Sequence, residues 1–225
     1  ISSIESYSDE LSEIVDSIND LGHGSIVIGL GGDLFHNDSI VHGATTRGTQ
    51  IDKVDMFKAV RDFTEYISTI IETSLSVSKD VQVVSVAGNH DTTVGYLVTE
   101  TIRSKYPQCT WHTAFSESQL WRRAILVNDV MLGFAHGDKS TANIDRVFSN
   151  EFPREWGLAK SRDIYIGHLH SKRELQVMTE NRDGVTVRRM PSSNKLDDYH
   201  IQNGYTGANA RTVLTYYTNG KIKGE

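Results

Sequence analysis

The sequence is poor in the features that mark several other classes of protein. Its 225 residues contain one cysteine, Cys109, so an internal disulfide is excluded and a reducing, cytoplasmic compartment is expected. No apolar run approaches the roughly 20 residues that a membrane-spanning helix needs, so no membrane partner is expected. Only three prolines occur, and a hydrophobic fraction of 38% with 23% charged residues is that of an ordinary globular protein.

The chain also lacks an excess of positive charge. A net charge of −6 does not favour nucleic-acid binding by the whole surface, because such binding relies on Lys and Arg. The charges are unevenly distributed, however. No Lys or Arg precedes Arg47, whereas residues 154–195 contain nine basic against five acidic residues. This basic stretch has two interpretations, namely solvated surface charge or a basic rim beside a phosphate site.

The first half of the chain has the pattern of a parallel sheet covered by helices. Apolar residues recur at helical spacing over residues 4–21 and 54–71. Between and after these helices, residues 25–30 and 81–86 are short apolar runs that predict buried strands. An order of helix, strand, helix and strand is typical of α/β proteins.

The second half predicts mostly strands. One hairpin is expected over residues 123–127 with 130–135, and another over 174–179 with 185–190. A short strand is expected at 163–166 and a last strand at 212–217. The length suits one domain, and no repeat or linker divides it. We therefore predict a single α/β domain over residues 1–225, a four-layer α/β/β/α sandwich of two mixed sheets flanked by helices.

Four short fragments with Asp, Asn and His follow runs of β-forming residues. They are Gly32-Asp33-Leu34-Phe35-His36, Gly88-Asn89-His90-Asp91, Ala135-His136-Gly137-Asp138 and Gly167-His168-Leu169-His170. Ligands of open α/β sheets gather at the carboxyl ends of strands, and glycines there allow sharp turns. Taken singly, a Gly-Asp is usually a turn and a lone histidine is usually a core residue. The four together predict one site.

The residue types suit a pair of divalent metal ions. An Asp can bridge two cations, an Asn carbonyl is a neutral oxygen ligand, and His nitrogen favours Mn, Fe or Zn over Mg or Ca. Two such ions roughly 3.5 to 4 Å apart can clamp a phosphate and activate water for an in-line displacement. We expect two divalent ions, with manganese first and iron, zinc or magnesium as alternatives.

In this order the fragments resemble the signature of the calcineurin-like metallophosphoesterases, which runs Asp-x-His, Gly-Asp, Gly-Asn-His-Asp/Glu, His and Gly-His-x-His. The last four of these motifs lie within residues 32–170. The resemblance implies that Asp33 bridges both metals and that His170 contributes to one metal site. It implies that the other metal site is completed by three residues, Asn89, His136 and His168.

The resemblance also implies two catalytic residues and a substrate class. His90 would face the phosphate and the leaving oxygen as an acid or charge stabiliser, and Asp91 would orient it. Residues 32–36 look like the nuclease branch of the family, and residues 45–49, 191–193 and 197–204 are similar to phage and prophage proteins labelled DNA repair exonucleases. The expected function is a phosphodiesterase or nuclease that cleaves DNA or another nucleic acid through a metal-bridging hydroxide.

The sequence departs from the family signature at the first motif, Asp-x-His. No Asp-x-His precedes Asp33, and the chain opens on Ile1, so we expect the first strand and its two ligands upstream of Ile1. Asp198-Tyr199-His200 spells the pattern out of order, and we expect a loop near the site there. The polar loops 37–50 and 191–208 are the expected substrate-facing walls.

Two other functions and a few other residues complete the predictions. A phosphomonoesterase or cyclic nucleotide phosphodiesterase would not need the basic stretch at 154–195. A catalytically inactive binding scaffold is favoured by the missing Asp-x-His and opposed by the retention of His90 and Asp91. Three further histidines, His23, His42 and His112, are expected at the surface or in hydrogen bonds. Cys109 is expected to be a small buried hydrophobic residue.

Overall fold

The structure is a computed structural model that describes residues 8–21, 24–35, 37–39, 55–113, 120–139, 141–168, 179–182, 184–190, 216–218 and 221–224. The described residues form α/β structure, as predicted. The chain divides into two compact units, Ile1–Trp121 and Arg122–Glu225, and each unit is described by itself. The interpretation as a single domain stays a prediction.

The first unit alternates helices and strands along the chain. Its elements are α1 (Ser8–Leu21), β1 (Ile26–Leu30), α2 (Met56–Val77), β2 (Val81–Ser85), α3 (Thr92–Lys105) and β3 (Thr110–His112). The first four confirm the predicted elements, although α2 extends six residues beyond the predicted end at 71 and residues 4–7 of the first predicted helix lie outside the described residues. α2 begins where the side chain of Asp55 accepts the Lys58 N–H at 3.0 Å, a local N-cap.

The described strands of this unit form one sheet in the order β1-β2-β3, and all of them run parallel. The order of helices and strands predicted a parallel sheet in this half of the chain, and the described strands confirm it. They are parallel because the described connections between them contain helices and return the chain to the same end. Of the two sheets that were expected to be mixed, this one has only parallel pairs among its described strands. In the register of the sheet, Leu30 of β1 pairs with Ser85 of β2. The loops after β1 and β2 consequently start side by side.

The core of the first unit lies where the helices pack on this sheet. Its most deeply buried members are Ile71 of α2, Val83 of β2 and Ile102 of α3, each 0% exposed. Helix α3 was not predicted, although Val94, Val98 and Ile102 recur at intervals of four residues and are all buried. Their burial accounts for the helix, since most helical stability in proteins comes from packing of one face.

The second unit is dominated by strands. Its elements are β4 (Arg122–Val127), β5 (Val130–Ala135), a 3-10 helix (Thr141–Asn143), α4 (Ile144–Glu151), α5 (Pro153–Leu158), β6 (Ser161–Ile166), β7 (Thr179–Arg182), β8 (Val185–Arg189), β9 (Tyr216–Thr218) and β10 (Lys221–Gly224). Five strands form a mixed sheet in the order β4-β5-β6-β8-β7, and β9 pairs with β10 separately. The two short helices were not predicted.

The two predicted hairpins of this unit are present. β4 and β5 are antiparallel around Asn128, which has a left-handed φ of 55°. β7 and β8 pair from Arg182 with Val185, and Gly184 has a φ of 84°. The turn is therefore shorter than expected, because Arg182 belongs to the strand. Of the strand predicted at 174–179, only Thr179 lies within the described residues. Of the strand predicted at 212–217, residues 216 and 217 are described and belong to β9, and β10 follows it without having been predicted.

Helices α4 and α5 cover one face of the mixed sheet. A side chain at Gly133 of β5 would come within 2.7 Å of the Phe148 ring, so the sheet and α4 are in close contact. The other face of the sheet carries charge. There, Arg188 Nε donates to Asp163 Oδ1 at 2.8 Å, and both side chains are about 95% buried.

No helix among the described residues is both long enough and apolar enough to cross a lipid bilayer.

Candidate metal centre

The loop after β1 is tightly folded around two glycines and Asp33. Gly32 and Asp33 both have left-handed backbone conformations, with φ of 81° and 50°. A Cβ at Gly32 would lie 2.5 Å from the backbone nitrogen of Gly88, in the loop after β2. Only glycine fits here, because both the φ value and the close approach exclude a side chain. The predicted sharp turn after β1 is therefore present.

The carboxylate of Asp33 is held by the second loop. Its Oδ1 accepts the backbone N–H of His90 at 2.9 Å. A Cβ at Gly88 would overlap the backbone nitrogen and Oδ1 of Asp33, and it would lie 2.7 Å from Asp91 Oδ1. The structure thus brings together Asp33 and the Gly88-Asn89-His90-Asp91 fragment, as the parallel register of β1 and β2 requires. Asp33, Asn89 and His90 are all half-buried.

Asp91 is the most buried carboxylate of this group, with 1% of its surface exposed. Its Oδ2 accepts the backbone N–H of Phe35 at 2.9 Å, so it joins the second loop back to the first. Gly95, one turn into α3, provides the space, since a Cβ there would be 2.9 Å from the same oxygen. The role of Asp91 in orienting His90 stays a prediction.

A third carboxylate, that of Asp38, was not singled out in the sequence. Its Oδ1 accepts the backbone N–H groups of Thr93 and Val94, each at 2.8 Å, in the first turn of α3. Asp91 precedes that helix but makes no side-chain capping bond. Sequence reasoning missed Asp38 because capping is normally local, and here the acceptor is 55 and 56 residues away from its two donors.

In the second unit, His136 and His168 follow two neighbouring parallel strands. Ala135 of β5 pairs with Ile166 of β6, so the residues beyond them start from the same edge of the sheet. Nε2 of His136 lies 3.1 Å from Nδ1 of His168, and the ring centroids are 4.9 Å apart at an interplanar angle of 73°. The structure therefore places these two predicted ligands in direct contact.

The backbone around this histidine pair is unusual. His168 has a φ of 68°, a left-handed value that costs an L-residue energy. Gly137, next to His136, has a φ of 104°, and a Cβ there would lie 2.9 Å from the carbonyl oxygen of Gly167. His136 is 2% exposed, whereas His168 is half-buried. The second unit thus holds one buried and one accessible imidazole at the end of its sheet.

The geometry of the histidine pair fits a transition-metal ion. Two nitrogens bound to a tetrahedral zinc ion at about 2.0–2.1 Å are roughly 3.3 Å apart. The observed 3.1 Å is close to that separation, and it also suits a direct N–H···N hydrogen bond. Asp33, His136 and His168 each offer one ligand atom of a kind that metal ions bind. Carboxylate oxygen with imidazole nitrogen favours Mn, Fe or Zn.

Several residues singled out in the sequence lie elsewhere. His112 is hydrogen-bonded as predicted, because its Nε2 lies 3.0 Å from Gln82 Oε1. Cys109 is buried, also as predicted, and burial raises the pKa of its thiol. Of the loop 37–50 only residues 37–39 are described. The other predicted positions lie outside the described residues: His23, His36, His42, His170, residues 45–49 and residues 191–208 with Asp198 and His200.

Three basic residues in the described part of the stretch at 154–195 have partners within the second unit. Lys160 Nζ lies 3.1 Å from Asp129 Oδ2. Arg162 donates to the carbonyl oxygens of Trp156 and Ala159 at 2.6 and 3.0 Å, and Arg188 pairs with buried Asp163.

No family model, no curated protein and no solved structure matches this chain.

Proposed function

We propose that the protein is a metal-dependent phosphoester hydrolase of the calcineurin-like metallophosphoesterase type. The proposal includes two divalent cations, of which manganese is expected. The proposed ligands are Asp33, Asn89, His136, His168 and His170. The proposal includes one domain in which the sheets stack as a four-layer α/β/β/α sandwich.

The observation that carries the proposal is the backbone at Asp33 and His168. Three described residues other than glycine have a positive φ, and these two are among them. The third, Asn128, belongs to a hairpin turn, where asparagine is common. Asp33 and His168 each follow a parallel strand closely and carry side chains suited to a cation. Strained backbone of this kind concentrates at functional sites.

The contacts of Asp33 and the burial of His136 also support the proposal. The His90 N–H fixes Oδ1 of Asp33, and a carboxylate has about four lone-pair sites, so this bond is compatible with a cation on the same group. His136 is buried on one side of the histidine pair, so it has little freedom to turn away. When bound, the cations would neutralise phosphate charge and activate water for attack on phosphorus.

The proposed catalytic residue is His90. Its backbone is anchored by Asp33, and its side chain is half-buried at the end of β2, beside the proposed ligand Asn89. In this position the imidazole would stabilise charge on the phosphate and deliver a proton to the leaving oxygen. Asp91, the next residue, helps to hold the His90 loop in place by accepting the backbone N–H of Phe35.

The proposed substrate is a phosphodiester of DNA or another nucleic acid. One observation favours a second candidate, a phosphomonoesterase or cyclic nucleotide phosphodiesterase. Arg162 donates to two backbone carbonyls and Arg188 pairs with buried Asp163, so these two bases offer little surface to a long polyanion. A small substrate would not need that surface.

The test is a panel of single-stranded DNA, double-stranded DNA, a cyclic nucleotide and a phosphomonoester, each assayed with added manganese. We expect hydrolysis of at least one of the two DNA substrates, whereas cleavage of the cyclic nucleotide or the monoester without cleavage of DNA would support the second candidate. A protein that binds manganese but cleaves none of the four would contradict the enzymatic proposal and favour a binding scaffold.

His90→Ala tests the mechanism. We expect kcat to fall by about 10²- to 10⁴-fold, in line with loss of a positioned acid, while the manganese content stays near that of the wild type. His112→Ala is the matched control, because His112 contacts Gln82 in the sheet and has no proposed role. If His90→Ala and His112→Ala have equal kcat, His90 is not part of the mechanism.

A further inference from the structure

Three aspartates of the first unit cross-connect the two loops of the candidate centre. Asp33 accepts from the His90 N–H, and Asp91 accepts from the Phe35 N–H, each at 2.9 Å. Asp38 accepts from the N–H groups of Thr93 and Val94. Every one of these bonds joins the segment after β1 to the segment after β2. The two segments therefore form one hydrogen-bonded assembly.

We infer that Asp38 is a positioning residue for the candidate metal centre, acting on Asp33 and His90 through this assembly. Its functional meaning rests on the proposed function, in which Asp33 is a metal ligand. Asp38 lies beyond Phe35 in the first segment, and its bonds reach the helix that begins just after His90 and Asp91. It fixes the far end of both segments at once.

The contrast with Asp55 shows why Asp38 is more than a helix cap. Asp55 accepts from Lys58 N–H, three residues along the same chain segment, so its loss would loosen only the start of α2. Asp38 caps α3 from a separate part of the chain. Removing its carboxylate leaves two N–H groups of α3 without that acceptor and loosens the segment that carries Asp33, which is then joined to the second segment by the bonds of Asp33 and Asp91.

The surroundings of Asp38 support a fixed position for it. The preceding residue, Asn37, is 2% exposed, and Phe35 is 5% exposed and packs edge-to-face on Phe63 with 5.3 Å between ring centroids. The segment is therefore anchored by the buried residues Phe35 and Asn37 that precede Asp38, and by the bonds of Asp38 itself to α3. A carboxylate held in this way can transmit its loss to Asp33 as a change of loop position.

The experiment compares Asp38→Ala, Asp38→Asn and Asp55→Ala. Both alanine variants lose one N-cap, so we expect both to lower Tm by a similar amount, about 2–4 °C. Asp38→Ala alone should weaken manganese binding, by about 10- to 100-fold, the range for residues that support a ligand. Asp38→Asn keeps an oxygen acceptor and should restore near-wild-type affinity.

Amide hydrogen exchange supplies a measurement that does not depend on metal. The His90 N–H, which Asp33 accepts, should exchange at least about tenfold faster in Asp38→Ala, since opening that bond becomes easier. It should be unchanged in Asp55→Ala and in Asp38→Asn. Unchanged exchange at His90 in Asp38→Ala would overturn the inference. Wild-type protein that binds no manganese would instead overturn the proposed function, while the exchange result would still decide the role of Asp38.

Discussion

Gly88 provides a stringent test of how closely the two loops of the first unit approach each other. It follows β2 and lies against Asp33, the proposed bridging ligand. In Gly88→Ala the new methyl group would overlap the backbone nitrogen of Asp33 and its Oδ1, at separations under the 3.0 Å that real Cβ atoms keep. It would also lie 2.7 Å from Asp91 Oδ1.

The expected loss of stability follows from which atoms must move. The nearest obstruction is backbone rather than the end of a flexible side chain, so the Asp33 loop itself has to shift. That shift would strain the bonds to His90 N–H and Phe35 N–H. Overpacking of a close-packed site costs about 1–3 kcal/mol and occasionally more. We expect Gly88→Ala at the upper end, about 3 kcal/mol.

The assay is urea unfolding of Gly88→Ala and wild type, together with manganese titration of both. Gly31→Ala is the matched control, since Gly31 lies in the loop after β1 and a Cβ there would meet nothing within 4 Å. We expect the control to change stability by less than about 1 kcal/mol and to leave manganese affinity unaltered. If both alanine variants are equally stable and bind manganese equally well, the described packing of Gly88 on Asp33 is wrong.

Two further predictions concern the second unit. Because His168 has a left-handed φ of 68°, which glycine adopts more easily than alanine, the His168→Gly protein should be about 1 kcal/mol more stable than the His168→Ala protein. Both variants should lose manganese binding. The control is the same pair of changes at Asn128, with a φ of 55°, which should show the stability difference but keep manganese binding. Retained affinity in both His168 variants would remove His168 from the ligand set. Arg188→Ala should cost about 3–5 kcal/mol in urea unfolding because it leaves Asp163 buried without this partner, whereas Arg188→Met combined with Asp163→Leu should cost far less; equal losses would refute this.

Helices α1 and α2 and most of the strands could be predicted because their patterns are local, whereas α3, β3 and β10 were not predicted. The apolar runs at β1 and β2 and the helical spacing of α2 need no knowledge of the rest of the chain. Helix α4 also has a local pattern, with Ile144 and Phe148 four residues apart and both 0% exposed. It was missed because one apolar pair is a weak signal beside polar neighbours. The alternation of helices and strands predicted the parallel strands of the first unit, because strand direction depends on the connections; the expectation that both sheets are mixed holds only for the sheet of the second unit.

The proximity of the candidate site residues could be predicted within each unit, but the bonds that hold them could not. Strand ends in a parallel sheet lie side by side, so Asp33 and the 88–91 fragment were expected to meet, and so were His136 and His168. Which oxygen accepts which N–H depends on contacts between distant segments. Asp38 is the clearest case, because its partners lie 55 and 56 residues away and no local pattern marks it.

The three aspartates show that binding a metal ion and holding the binding loops in place are separate roles, which a sequence motif does not distinguish. Asp33, Asp91 and Asp38 all carry the same functional group, yet each has a different backbone partner: His90, Phe35, and the start of α3. A carboxylate that binds a cation must also be held still, because a displacement of one ångström weakens coordination. We therefore expect substitutions at Asp33 to remove metal binding outright and substitutions at Asp38 to weaken it in proportion to loop movement. A manganese titration of the Asp33 and Asp38 variants can measure this difference in affinity, which the sequence motif alone does not predict.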